Sequence, residues 1–194
     1  MLASINPLGE RARKQRYVVT AGAYIAASTL AAAALGSVLG GLGAGVAPVF
    51  AYTVVAGVAA AGLACDARVF GLRVPGPRRQ VNENWLVTYR GWVYGAGFGA
   101  QLGLAFTTIV AASATWVAFA CALLSGTVAR GAFLGATFGF VRAAPVLWTM
   151  RVREPAQLYT CVRRIGRWRP AVARLTSGAQ VAAIVVSGVA LVAR

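Results

Sequence analysis

The chain has 194 residues, of which 59% are hydrophobic, and its mean hydropathy is +0.69. Only 12% of the residues are charged, whereas soluble globular domains carry about 25%. So few polar side chains cannot cover the surface of a water-facing globule, which excludes that class of protein. The sequence therefore predicts an integral membrane protein.

The positive charge of the chain is explained by where the basic residues lie. Nineteen lysines and arginines stand against four aspartates and glutamates, a balance that nucleic-acid-binding proteins also show. Here the basic residues gather in short segments between long apolar runs, as in the cytoplasmic loops of membrane proteins. The expected partners are therefore the lipid bilayer and a second copy or another membrane protein, and no nucleic acid.

Two apolar runs follow a polar, basic lead at residues 1–16. Tyr17–Gly40 has 24 residues without a charge, enough to cross a hydrocarbon core of about 30 Å. A glycine-rich turn at 41–45 separates it from Val46–Cys65, a second uncharged run. Residues 17–65 are therefore predicted to form a helical hairpin.

A basic, proline-rich loop at 66–90 leads into the longest apolar run. Residues 91–128 are uncharged over 38 positions, which would make a helix about 57 Å long at 1.5 Å per residue. Since this is far more than a bilayer core needs, the third span must tilt, protrude or break. With the next run, at 131–150, it forms the second predicted hairpin, 91–150.

A second basic loop at 151–174, which includes a short interfacial helix, precedes a last span at 175–193. The prediction is one all-α membrane domain with five crossings, or four if the last segment lies in the interface. With the N-terminus in the cytoplasm, 17 of the 19 basic residues lie on or near the cytoplasmic side, as topology rules require. The predicted location is the cytoplasmic membrane of a bacterium.

Glycines recur at every fourth position in two of the apolar runs. Small residues at this spacing let helix backbones approach closely in lipid, so these stripes are predicted to pack on each other or on a second copy. A dinucleotide-binding loop does not fit, because Ala100 stands where its third glycine belongs. The first stripe is Gly91, Gly95, Gly99 and Gly103, and the second is Gly131, Gly135 and Gly139.

An unwound segment beside the first stripe is the alternative, and it would line a path for a substrate. Gln101, Thr107 and Thr108 supply polar groups there, and broken helices expose backbone groups to substrates in transporters. Arg142 is the one charge well inside a predicted span. It is predicted either to reach back to the cytoplasmic face or to pair with Asp66 or an anion.

Groups for metal or acid–base chemistry are scarce. The chain has no histidine, and its four carboxylates fall in predicted cytoplasmic segments. Neither a metal, a cofactor nor a catalytic residue is predicted, and the chain is expected not to be an enzyme. Cys65, Cys121 and Cys161 have no Cys-x-x-Cys spacing and are expected to be small apolar side chains, with a thiol relay as the alternative.

Two parts of the chain resemble each other at an offset of about 77 residues, which indicates a duplicated two-helix unit. "GLACDARVFGLRVPGP" from Gly62 aligns with "GFVRAAPVLWTMRVREP" from Gly139, and a basic lead precedes a Gly/Ala-rich span in each half. Shared composition is the other explanation of this match. The duplicated units resemble the transmembrane domain of the cytochrome c biogenesis and thiol-disulfide carrier superfamily, whose relatives include small exporters.

The resemblance implies a membrane scaffold and no more. Carriers of that superfamily place a cysteine in the first helix of each repeat, and residues 17–40 and 91–103 contain none. The first predicted function is a small transporter or exporter of a neutral or anionic solute, with its site near Gln101, Thr107 and Arg142. The alternatives are a non-catalytic assembly subunit of a membrane complex and, third, a thiol-redox carrier.

The predicted orientation is tested by labelling single cysteines in a variant whose three native cysteines are serine. Ala44→Cys, in the turn after the first span, is expected to react with a membrane-impermeant maleimide in intact spheroplasts. Gln80→Cys, in the first basic loop, is the matched position and is expected to react only after permeabilisation. The reverse pattern would mean that the chain is inserted the other way round.

Overall fold

The computed structural model describes residues 5–72, 74–75, 84–105 and 113–193. Within these ranges the chain forms helices and contains no β-strand, which confirms the predicted all-α fold. The α-helices of the described residues are α1 Pro7–Ala12, α2 Tyr17–Leu42, α3 Pro48–Asp66, α4 Trp85–Thr88, α5 Gly91–Leu104, α6 Ala114–Leu123, α7 Val128–Ala143, α8 Pro155–Arg167 and α9 Arg169–Val192. Short 3-10 helices lie at Val69–Gly71 and Ala144–Thr149.

Four helical segments of the described chain are long and apolar enough to cross a membrane. They are Tyr17–Leu42, Pro48–Asp66, Val128–Thr149 and Pro155–Val192. The last segment contains α8 and α9, and α9 begins at Arg169, six residues before the start of the predicted span. The chain is thus a helical membrane protein, and its orientation stays a prediction.

The long uncharged run at 91–128 is divided between two helices. α5 ends at Leu104, and Ala105 follows with a φ of +57°, a value that residues with a Cβ rarely adopt. The 14 residues of α5 and the 10 of α6 make helices about 21 Å and 15 Å long, each shorter than a bilayer core. Of the three outcomes expected for this run, the structure shows the break.

The chain divides into two compact units, each built from three segments. Unit 1 comprises Met1–Ala32, Arg79–Thr108 and Ala136–Arg169. Unit 2 comprises Ala33–Arg78, Ile109–Gly135 and Pro170–Arg194. α2 and α7 contribute residues to both units.

In unit 1 the first glycine stripe lies against the backbone of α2. A Cβ added at Gly95 would lie 2.6 Å from the carbonyl oxygen of Thr20, a separation that real side chains do not show. Added at Gly99 or Gly103, it would collide with carbonyl oxygens further along α2, those of Tyr24 and Ser28. The two helices are therefore in direct backbone contact, which only glycine permits.

The second stripe also lies against α2: Gly131 contacts it in unit 2, and Gly139 contacts it in unit 1. In unit 2, Gly131 faces the carbonyl group of Gly36, and a Cβ added at Gly36 would lie 3.1 Å from the Cα of Gly135. In unit 1, Ser28 Oγ donates a 2.9 Å hydrogen bond to the carbonyl oxygen of Gly139. The atoms nearest to the described positions of both stripes belong to α2, whereas the expected partners were the other stripe or a second copy.

Aromatic side chains fill the core of unit 1 beside the glycine contact. Tyr94 and Phe98 of α5 are buried, and the ring of Trp85 stacks on Phe98 at 5.9 Å between centroids. The Tyr17 hydroxyl donates to the carbonyl oxygen of Val146 at 2.6 Å. In unit 2, α3 packs against α6.

Replacing Gly99 by leucine is expected to lower the free energy of unfolding by about 1–3 kcal/mol or more, as overpacking does. The reason is the collision of any Cβ with the carbonyl group of Tyr24. Gly22→Ala is the matched control, because nothing lies within 4 Å of a Cβ added there. Thermal unfolding in detergent measures both variants, and equal melting temperatures would contradict the close contact.

A candidate polar site in unit 2

A chain of hydrogen bonds links three polar side chains of unit 2. Ser113 Oγ donates to Asp66 Oδ2 at 2.5 Å, and the Ser113 backbone N–H donates to Asp66 Oδ1 at 3.2 Å. Gln180 Nε2 donates in turn to Ser113 Oγ at 2.5 Å. Ser113 thus accepts one hydrogen bond and donates two, and it fixes the carboxylate through both oxygens.

Three separate helices and one glycine position this cluster. Asp66 is the last residue of α3, Ser113 immediately precedes α6, and Gln180 lies near the middle of α9. A Cβ added at Gly62, one turn before Asp66, would lie 2.9 Å from Ser113 Oγ and 3.0 Å from Gln180 Nε2. Gly62 therefore leaves the space that the serine and the glutamine occupy.

One atom of the cluster is left unsatisfied. Gln180 is 2% exposed, and its amide oxygen Oε1 has no hydrogen-bond partner among the described residues. A buried carbonyl without a donor costs about 1–3 kcal/mol, and a bound water or ligand N–H group would remove that cost. This oxygen is thus the point of the cluster at which a hydrogen-bond donor would bind most favourably.

Unit 1 contains a second polar cluster, which is centred on Glu10. Glu10 of α1 is 0% exposed, and its carboxylate accepts from Arg13 Nη2 at 2.7 Å and from Thr20 Oγ1 at 2.7 Å. The hydroxyl of Tyr94 also donates to it. These bonds fasten α1, which belongs to the polar lead, to α2 and α5.

The sequence assigns Glu10 to a cytoplasmic segment and does not predict its burial. A local signal was present in "INPLGER". Asn6 accepts from the Gly9 N–H at 2.9 Å, and Pro7 opens α1, an arrangement typical of a helix N-terminus. This pattern predicts the short helix, but not the partners that bury its glutamate.

The two described residues that were predicted to line a substrate path, Gln101 and Arg142, both belong to unit 1. Gln101 lies on α5 in unit 1 and is partly buried, and Thr107 and Thr108 lie outside the described residues. The guanidinium of Arg142 lies 5.6 Å from the centre of the Phe138 ring, also in unit 1. Asp66 belongs to unit 2 and is held by Ser113, so its pairing with Arg142 stays a prediction.

The described residues contain no group of three histidine, cysteine or acidic side chains that could hold a metal ion. Cys65, Cys121 and Cys161 are free thiols and partly buried. The thiol of Cys161 donates to the carbonyl oxygen of Trp148 at 3.7 Å. These observations leave both the expectation of small apolar side chains and the alternative of a thiol relay untested.

Comparison with known proteins found similarity to the methylamine utilization protein MauF of Paracoccus versutus. The two sequences are 37% identical over 123 residues, which amount to 60% of this chain and 44% of MauF. The chain thus spans less than half the length of that relative. No family model matches the chain, and no solved structure matches it.

Ser113→Ala is expected to lower the free energy of unfolding by about 1–3 kcal/mol, because it leaves the buried Gln180 amide without its acceptor. Ser37→Ala is the control, since the Ser37 hydroxyl donates to the Ala33 carbonyl oxygen of its own helix and to no other described residue. Gln180→Leu removes the group that needs the acceptor. In the Gln180→Leu background, Ser113→Ala should therefore lower the free energy of unfolding clearly less than it does in the unmodified protein. If the two substitutions lower the free energy of unfolding additively, the hydrogen-bond chain is contradicted.

Proposed function

We propose that the protein is a non-catalytic accessory component of methylamine utilization that works within the membrane. The observation that carries this proposal is the 37% identity to MauF, a methylamine utilization protein. The matched segment of 123 residues is longer than any single helix of the described chain. The similarity therefore extends over several membrane helices and their connections.

The exposed face of α9 supports a role that depends on contacts within the membrane. Its buried positions include Gln180 and Ser187, which are polar. Its exposed positions form an apolar stripe at spacings of four, four and three residues. The members of the stripe are Val181, Val185, Val189 and Val192. A helix that turns polar groups inward and valines outward is suited to lipid or to a neighbouring membrane helix.

We therefore propose α9, and not the glycine stripes, as the surface that contacts a partner. Both stripes were expected to be available to a neighbouring subunit, but their close approach to α2 occupies them within the chain. α9 carries an exposed apolar stripe from Val181 to Val192. An assembly role therefore rests on α9.

Transport of a small solute is the second candidate. The break after α5 places Ser113 at the start of α6, beside the unsatisfied amide oxygen of Gln180. Broken helices with exposed polar groups are typical of transporter binding sites. The arrangement favours a solute that donates hydrogen bonds, so a neutral or cationic solute fits better than an anion.

Disrupting the gene in the organism that encodes it tests the proposal. The mutant should no longer grow with methylamine as the nitrogen source but should still grow with ammonium. A plasmid copy of the gene should restore growth on methylamine. Equal growth of the mutant and the parent on methylamine would contradict the proposed function.

Uptake of radiolabelled methylammonium by the same strains separates the two candidates. If the protein is an accessory component, the disrupted strain keeps the initial uptake rate of the parent; if it is a transporter, the rate falls.

A plasmid copy in which Cys65, Cys121 and Cys161 are serine tests the thiol-redox alternative. If the cysteine-free copy restores full growth on methylamine, the thiol-redox alternative is excluded.

A further inference from the structure

A cavity of about 430 Å³ lies in unit 1 between α8 and the 3-10 helix that follows α7. One face of α8 lines it, from Gln157 through Cys161 and Arg164 to Ile165. Trp148 and Trp168 form its aromatic wall. Its volume lies within the usual range of small-molecule sites, about 300–1,000 Å³.

The lining of this cavity is divided into an apolar part and a polar part. The rings of Trp148 and Trp168 meet edge to face, with 5.6 Å between their centroids, and Ile165 lies beside them. The polar part includes the guanidinium of Arg164, the side-chain amide of Gln157 and the hydroxyl of Thr160. Such a division fits an amphiphile with a hydrogen-bonding headgroup better than a uniformly polar solute.

The charge around the cavity favours an anionic headgroup. Residues 151–174 contain seven arginines and one acidic residue, Glu154. Arg164 itself makes no ion pair with any residue that the structure describes. Basic residues near an anionic membrane surface are attracted to it, and a guanidinium binds phosphate oxygens with directed hydrogen bonds.

The position of the cavity points to lipid as the source of that headgroup. α8 leads at Arg167 into α9, and the Pro155–Val192 segment is apolar enough to span the membrane. Tryptophan is enriched at the level where lipid headgroups meet acyl chains. A phosphate group bound at Arg164 would have its glycerol and upper acyl carbons beside Trp148 and Trp168.

We propose that this cavity is a specific site for one anionic phospholipid, such as phosphatidylglycerol. The phosphate binds Arg164 and Gln157, and the apolar part of the lipid packs on Ile165 and the two tryptophans. The site is independent of the polar cluster in unit 2 and of the proposed role in methylamine utilization.

Native mass spectrometry of the detergent-purified protein, titrated with phosphatidylglycerol or phosphatidylcholine, tests the proposal. One tightly bound phosphatidylglycerol is expected, and Arg164→Gln should weaken its binding about tenfold, since a charge-assisted hydrogen bond is worth at least 1.4 kcal/mol. Arg163→Gln is the matched control, because Arg163 is exposed on α8 and does not line the cavity. The affinity of the Arg163→Gln variant for phosphatidylglycerol should remain within about twofold of that of the unmodified protein.

Quenching of tryptophan fluorescence by phosphatidylglycerol with brominated acyl chains gives a second readout. Trp148→Phe combined with Trp168→Phe should remove the saturable component of quenching and leave the component from bulk detergent. Equal binding of the two lipids, or equal effects of the two arginine substitutions, would overturn the proposal. Displacement of the lipid by millimolar inorganic phosphate would also overturn it, in favour of a soluble anion.

Discussion

The contact between the α2 backbone and two glycine-bearing helices is the constraint on which the other features depend. In a bilayer, burial of apolar surface does little to hold helices together, so van der Waals contact and hydrogen bonds between them carry the association. At Gly95, Gly99 and Gly103 the surface of α5 comes so near to α2 that a single methyl group would collide with its carbonyl oxygens. α7 approaches α2 in the same way at Gly131 and Gly139.

This contact also determines where the polar groups of unit 1 lie. With α5 against α2, the hydroxyls of Tyr94 and Thr20 converge on the carboxylate of Glu10. The short helix α1 is thereby held on the membrane helices by charge-assisted bonds. A wider separation of α2 and α5 would leave Glu10 buried without two of its three donors, a state that is strongly unfavourable.

The glycine stripes illustrate what the sequence predicts and what it does not. Their four-residue period predicts close helix packing, because period and residue size are local properties. The period does not identify the partner, and the structure assigns α2 to both stripes. The same holds for the long apolar run, whose length predicts that it tilts, protrudes or breaks but does not decide among the three; the structure shows that α5 ends at Leu104.

The polar cluster in unit 2 could not be predicted from the sequence, because its residues have no local pattern. Ser113 is one small polar residue in a long uncharged run, and Gln180 is one amide in an apolar span. Neither has a local pattern that marks it. They meet only because α3, α6 and α9 come together at Gly62, which is a glycine without periodic neighbours.

Solid-state NMR of the protein in bilayers tests the central contact most directly. With carbonyl-labelled tyrosine and Cα-labelled glycine, the Tyr24 carbonyl carbon and the Gly99 Cα should give a through-space cross-peak at short mixing times. Backbone contact predicts this cross-peak in the assigned spectrum. Its absence, with the helices at the 8–10 Å axial separation usual for packing through side chains, would contradict the account.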